Sequence, residues 1–104
     1  MIDTNSSKYR ELIKYSNPIE VQKRAYQKFG KDKGELWISS RKDKKYMVHD
    51  GNKFIHFGQM DYEDFTKHKN TIRRENYKRR ASNIRGNWRE NPLSPNNLSI
   101  HLLW

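Results

Sequence analysis

The sequence predicts an α+β fold, with N-terminal helices, a small antiparallel β-sheet over about residues 35–57 and a basic C-terminal helix packed on that sheet. Two observations predict this class. Apolar residues recur at helical spacing before residue 30 and after residue 58, and they alternate as in strands between those points. A third observation, the length of 104 residues, fits a single domain over 1–104.

The first part of the chain carries the clearest helix signal, over residues 18–29. Asn17 suits the N-cap, Pro18 suits the first helical position and Gly30 suits the stop. A shorter helix is predicted over 7–15. In the longer helix the side chains expected to point outward are Lys23, Arg24 and Lys28.

The middle of the chain changes to a period of two. Three strands are predicted over 36–40, 45–49 and 53–57, because β-prone runs flank the tight-turn sequence Asp50-Gly51-Asn52. The connection SRKDKK, residues 40–45, is expected to be an exposed basic loop.

Helical spacing returns after the sheet. Asp61 is expected to cap a short helix over 62–68, with Tyr62 and Phe65 facing inward. Tyr77, Ala81, Ile84 and Trp88 then form one apolar stripe, which predicts an anchored helix over about 71–85. The predicted core aromatic and apolar side chains are Trp37, Phe57, Phe65, Tyr77, Ile84 and Trp88.

The two ends of the chain are predicted to be less regular. Residues 1–16 are expected to form a peripheral extension, and residues 90–104 a C-terminal tail. The tail ends in Leu102, Leu103 and Trp104, which would expose a costly apolar surface if they hung free. These three residues either close the sheet's second face or form a homodimer contact, and closure is favoured.

The net charge of +10 predicts an acidic partner. The charge is concentrated, since residues 67–104 carry nine of the 22 basic residues and two of the 12 acidic ones. We expect the main binding surface to consist of Lys67, Lys69, Arg73, Arg74, Lys78, Arg79, Arg80, Arg85 and Arg89. A second surface is expected in the loop, at Arg41, Lys42, Lys44 and Lys45.

The residues give little support to catalysis. The chain has no Cys, no Gly-rich phosphate loop and no nucleophile with a base at motif distance. His49 and His56 could approach each other across the predicted hairpin, but two half-exposed strand histidines are the simpler interpretation. The sequence therefore predicts a protein that is not an enzyme, with no cofactor and no metal site.

A membrane partner is not expected either. No apolar run of 18 residues and no signal-peptide apolar region occurs, which predicts a soluble intracellular protein or one packaged in a particle. No amphipathic helix presents the wide apolar face that membrane insertion needs.

Five ordered blocks resemble a small uncharacterised family of basic proteins encoded by giant nucleocytoplasmic DNA viruses. These are "NPIEVQKRAYQKFGK", "SSRKDKKYMVHD", "IHFGQMDYEDFTKHKN", "RRENYKRRASNIRGNW" and "SPNNLSIHLLW". The resemblance covers roughly residues 17–104. It brings no established activity and no catalytic residues, but it implies a viral context, in the host cytoplasm or nucleus (the viral factory) and in the virion.

Together these observations predict a non-enzymatic protein that binds DNA or another polyanion through a basic helical face, without strong sequence preference. DNA is favoured over RNA by the viral context. The alternative is a minor capsid or core cement protein whose basic face docks on acidic protein neighbours, and other virion proteins would then be its partners.

Overall fold

A computed structural model describes residues 1–104. The chain forms five α-helices and one three-stranded antiparallel sheet, which confirms the α+β class. In chain order the elements are α1 (Ser7–Leu12), α2 (Pro18–Lys33), β1 (Leu36–Ile38), β2 (Lys44–His49), β3 (Phe54–Gln59), α3 (Phe65–His68), α4 (Thr71–Ser82) and α5 (Pro95–Leu98). A 3₁₀ turn (Trp88–Glu90) follows α4, and a π-helical turn (Ser99–Leu103) continues α5.

Helix α2 begins and breaks where the sequence predicts. The Asn17 side chain accepts a hydrogen bond from the Glu20 N–H at 3.3 Å, and Pro18 occupies the first turn. At Gly30 the backbone adopts φ 83°, which interrupts the helix before one further turn to Lys33. Arg24 is half-buried rather than turned outward, because its guanidinium donates to the Leu102 carbonyl at 3.4 Å.

Helix α1 is not a peripheral extension. It is shorter than predicted and is capped by Ser6, whose hydroxyl accepts from the Tyr9 N–H at 3.1 Å. Leu12 at its end is completely buried in the core. Ser16 follows and is hydrogen-bonded to the Tyr46 hydroxyl at 2.7 Å, so this segment is tied to the sheet.

The sheet has the order β1-β2-β3, as predicted. Leu36 pairs with Val48, and Tyr46 pairs with Phe57, so these four side chains lie on one face and enter the core. At the hairpin turn the Asp50 carboxylate accepts hydrogen bonds from the backbone N–H groups of Asn52 and Lys53, at 2.8 Å each.

Residues 95–103, here called the C-terminal segment, complete the core against β3 and α2. Leu98, Leu102 and Leu103 are each only 1% exposed. Leu102 and Leu103 are thus buried within a single chain, as the closure alternative expects, while Trp104 is half-buried. The segment is helical rather than an irregular tail, because Ser94 caps it and Pro95 occupies the first helical position.

Two helices after the sheet differ from the prediction. Asp64, not Asp61, precedes α3, and Tyr62 is 69% exposed instead of facing inward. Helix α4 ends at Ser82, and the predicted apolar stripe stops at Ala81. Ile84 is 53% exposed, so its assignment to the core is wrong.

The remaining predicted core residues are divided between full and partial burial. Phe57 is 1% exposed and belongs to the central cluster. The other four are half-buried and lie outside the central cluster: Trp37, Phe65, Tyr77 and Trp88. The lean composition therefore leaves most of the aromatic side chains predicted for the core partly accessible.

Candidate nucleic-acid interface

Lys45 does not belong to the predicted second basic surface. Its side chain is 2% exposed, and its ammonium donates to the carbonyls of Tyr15 and Tyr62 and to the Asp64 carboxylate, the last at 3.1 Å. Burial lowers the pKa of Lys45, and the adjacent Asp64 carboxylate opposes that shift. Lys45 is therefore a structural cation that joins β2 to the chain before α3.

The other three loop residues remain near solvent. Arg41 and Lys42 are exposed, while Lys44 is half-buried at the start of β2. The loop is anchored by Lys8, whose ammonium donates to the carbonyls of Ser39 at 2.7 Å and Arg41 at 2.5 Å. The predicted second basic surface therefore contains only two exposed cations, Arg41 and Lys42, on a loop that Lys8 holds in place.

The lysines of α3 and its end have different surroundings. Lys67 is exposed, whereas the Lys69 ammonium contacts both oxygens of Glu20 at 2.6 and 2.5 Å. Lys69 has φ 58°, the left-handed conformation that ends the helix. The Lys69–Glu20 pair links this helix end to α2, so the charge of Lys69 is already matched.

Helix α4 presents basic side chains on two flanks rather than on one face. On one flank Arg73 and Arg80 border a cleft, two helical turns apart. On the other flank Arg74 lies over the Phe65 ring at 4.8 Å, and Lys78 is half-buried. Burial lowers the pKa of Lys78, and the positive charges of Arg74 and Arg24 lower it further.

The outward side of α4 and the loop after it carry three more exposed arginines, namely Arg79, Arg85 and Arg89. The Arg89 guanidinium stacks over the Trp88 ring at 4.3 Å and donates to the Ser82 carbonyl. The Trp88 indole N–H in turn donates to the Ile84 carbonyl at 2.7 Å. This loop is therefore ordered by its own side chains.

Asn97 is a residue that sequence reasoning missed. Its side-chain amide donates to the carbonyls of Trp88 at 2.8 Å and Asn91 at 2.9 Å, so it fixes the loop after α4 to the C-terminal segment. Ser94 donates to the same Trp88 carbonyl at 2.8 Å. Only the turn-prone composition of residues 91–97 hinted at this role.

Few of the basic side chains between residues 67 and 89 have an acidic partner. Only Lys69 and Arg73 lie within 4.0 Å of a carboxylate oxygen, and the Arg73–Glu63 contact is long, at 3.8 Å, and about half exposed. The following seven have none: Lys67, Arg74, Lys78, Arg79, Arg80, Arg85 and Arg89. The exposed Arg73–Glu63 pair contributes little to stability, so Arg73 can exchange this partner for another anion easily.

A cleft of about 740 Å³ lies beside α4. Arg73, Asn76 and Arg80 form one wall. The other wall comes from the end of β3 and the residues after it, and includes Tyr62. Tyr77 at the base stacks on Trp104, with ring centroids 4.2 Å apart and planes at 9°.

The histidines and acids do not converge. His49 packs against Phe54, whereas His56 is hydrogen-bonded through its Nδ1 to the Ser39 hydroxyl at 2.7 Å. The register pairs His49 with Phe54 and His56 with Met47, so the two histidines are diagonal neighbours rather than direct partners. No group of three or more His, Asp or Glu side chains is arranged to hold a metal ion.

None of the helices combines the length and the apolar character needed to cross a membrane.

Comparison with known proteins gives one similarity. Residues 34–81 match the model of a family described as "Family of unknown function (DUF5754)". The matched stretch contains the whole sheet, the Lys45–Asp64 pair and nearly all of α4, but not the C-terminal segment. No curated protein and no solved structure matches the chain.

Proposed function

We propose that this protein binds DNA through phosphate contacts, without strong sequence preference, as a genome-associated or virion-associated protein of a large DNA virus. The viral source rests on the resemblance described for residues 17–104. The observation that carries the binding proposal is the set of seven basic side chains between Lys67 and Arg89 that have no carboxylate partner.

Phosphate is the anion that suits this surface. Five of those seven cations are arginines, whose planar guanidinium makes bidentate contacts with phosphate oxygens. They lie on a short helix and an adjacent ordered loop, so they reach backbone phosphates without presenting a side-chain pattern that reads base edges. Such binding releases counterions and is steeply dependent on salt.

Fluorescence anisotropy with two unrelated DNA duplexes of equal length tests the proposal. We expect similar affinities for both duplexes, and a logarithm of the binding constant that falls linearly with the logarithm of the salt concentration. Arg79→Gln and Arg85→Gln should each weaken binding to both duplexes and reduce the salt slope by about one.

Lys23→Gln is the matched control, because Lys23 is exposed on α2 and the substitution removes the same charge from another surface. It should leave the salt slope unchanged. Absence of binding at low salt, near about 50 mM, would reject DNA as the partner.

A second candidate function is a cement protein that docks between larger virion proteins. One observation favours it: Met1 and Ile19, which are 77% and 78% exposed, border an apolar groove of about 270 Å³. A cement protein should remain with the shell after the DNA is removed, at a copy number that follows the shell symmetry. A genome-bound protein should leave with the DNA or be released by high salt.

A further inference from the structure

The cleft beside α4 combines features that a duplex cannot use. Tyr62 on its rim is 69% exposed, and Tyr62 is the most exposed aromatic side chain of the protein. Arg73 and Arg80 stand on the opposite wall, about 10 Å apart along the helix. An aromatic ring beside guanidinium groups is the arrangement on which unpaired bases stack while their phosphates are held. In a duplex the base faces are covered by their neighbours.

The base of the cleft is preformed. Gly58 has φ 83°, and a Cβ atom there would lie 2.9 Å from the Leu103 side chain and 3.2 Å from the Lys45 Cβ. Glycine is thus required for β3 to approach the C-terminal segment this closely. The stacked pair of Tyr77 and Trp104 adds a rigid apolar surface at the same level.

The polar groups of the cleft match a nucleotide better than an acidic peptide. Asn76 lies between the two arginines along α4, and Gln59 at the end of β3 also lines the cleft. Their amides both donate and accept hydrogen bonds, as base edges require. The weak pair of Arg73 with Glu63, at 3.8 Å and about half exposed, leaves that guanidinium available to a phosphate.

We infer that this cleft binds one unpaired nucleotide of a single DNA strand, with its base on Tyr62 and its flanking phosphates on Arg73 and Arg80. The inference rests on the proposed function and deepens it, because it makes single-stranded DNA the preferred substrate. The outward arginines bind phosphates of both duplex and single-stranded DNA, and the cleft adds affinity for the single strand alone.

The experiment compares a fluorescein-labelled oligothymidine strand with a duplex of the same length, using the full chain. We expect the single strand to bind more tightly. Tyr62→Ala should weaken single-strand binding by about 5- to 150-fold, the range that stacking of one base supports, and leave duplex binding unchanged. Tyr62→Phe should retain the wild-type preference, because it keeps the ring.

Ile72→Ala is the matched control, since Ile72 is an apolar side chain of α4 that is 70% exposed and does not line the cleft. Ile72→Ala should change neither the single-strand affinity nor the duplex affinity. Glu63→Gln should strengthen single-strand binding, because it releases Arg73 and removes a negative charge from the cleft. Circular dichroism of each variant checks that it is folded.

The outcomes separate the two proposals. If the duplex binds with a steep salt slope but Tyr62→Ala leaves single-strand binding unchanged, the cleft inference is wrong and the proposed function stands. If neither nucleic acid binds, both are wrong. If poly-glutamate displaces the strand as effectively as unlabelled oligothymidine does at equal charge, the cleft takes an acidic protein and the inference is overturned. If thymidine 5′-monophosphate displaces the strand as effectively, the ligand of the cleft is the free nucleotide and the inference is also overturned.

Discussion

Removing one partner of the buried ion pair between Lys45 and Asp64 should strongly destabilise this domain. The two side chains are 2% and 1% exposed, and their charged atoms are 3.1 Å apart. Lys45→Met keeps the length of the side chain but removes the ammonium. It leaves the Asp64 carboxylate in the interior with only the Thr66 hydroxyl among its side-chain partners, and it leaves the carbonyls of Tyr15 and Tyr62 without this donor.

Breaking one partner of a buried pair costs about 3–5 kcal/mol, because the remaining charge is uncompensated. The whole domain should have an unfolding free energy of only about 5–15 kcal/mol. With a urea dependence of about 2 kcal/mol per molar, the midpoint of unfolding should fall by about 2 M. Urea titration followed by tryptophan fluorescence and circular dichroism measures this shift.

Two further variants make the result decisive. Lys42→Met removes an exposed charge from the preceding loop and should change the unfolding free energy by about 0.5 kcal/mol or less. Combining Lys45→Met with Asp64→Asn removes both charges and should recover part of the loss. If Lys45→Met costs no more than Lys42→Met and instead weakens DNA binding, Lys45 is a surface contact and the structural reasoning is wrong.

Two other predictions concern the core and the effect of pH. Deleting residues 102–104 removes two buried leucines and should abolish cooperative urea unfolding. Size-exclusion chromatography should show a monomer both before and after the deletion. Loss of a dimer with retained folding would support self-association, and no change in either property would refute both roles. Burial lowers the pKa of His56 and of His68, and nearby positive charges lower both further. The unfolded chain therefore binds protons more readily than the folded one as pH falls through about 6.5, so the melting temperature should be lower at about pH 5 than at about pH 7. Replacing both histidines with Gln should reduce that difference, and an equal difference in the double variant would contradict the assignment.

The parts of the fold that the sequence predicts correctly are those held by local interactions. The start of α2 depends on Asn17 and Pro18, and the β2–β3 hairpin depends on the turn at Asp50-Gly51. Each signal acts within three or four residues through backbone hydrogen bonds, so it is visible in the residues themselves.

The errors arise where distant residues decide the outcome. Lys45 looks like one more surface lysine in a basic run, and only the chain after β3, through Asp64 and the Tyr62 carbonyl, makes it a buried group. Tyr62 contributes its backbone carbonyl to Lys45, while its ring stays 69% exposed. No local periodicity carries that information.

The candidate site shows the same division. The sequence locates the basic charge within residues 67–89, and the structure leaves seven of those cations without an acidic partner. The sequence does not reveal that Lys69 is bound to Glu20, nor that α4 carries its arginines on both flanks of its buried side. Those facts depend on how the end of α3 and helix α4 are placed against parts of the chain that are distant in sequence.

The attachment of α4 connects the fold to the proposed binding. Ala81 is the only buried residue of this helix. The other contacts of the helix include the stacking of Tyr77 on Trp104, the Arg74 guanidinium over the Phe65 ring and a hydrogen bond from Asn96 to the Ala81 carbonyl at 3.0 Å. A helix with so small an apolar contact must also bear the mutual repulsion of its cations. Bound phosphates would relieve that repulsion and favour the docked helix, so binding and local stability are thermodynamically linked. The arginines that weaken the free protein are therefore the groups that would make its complex stable.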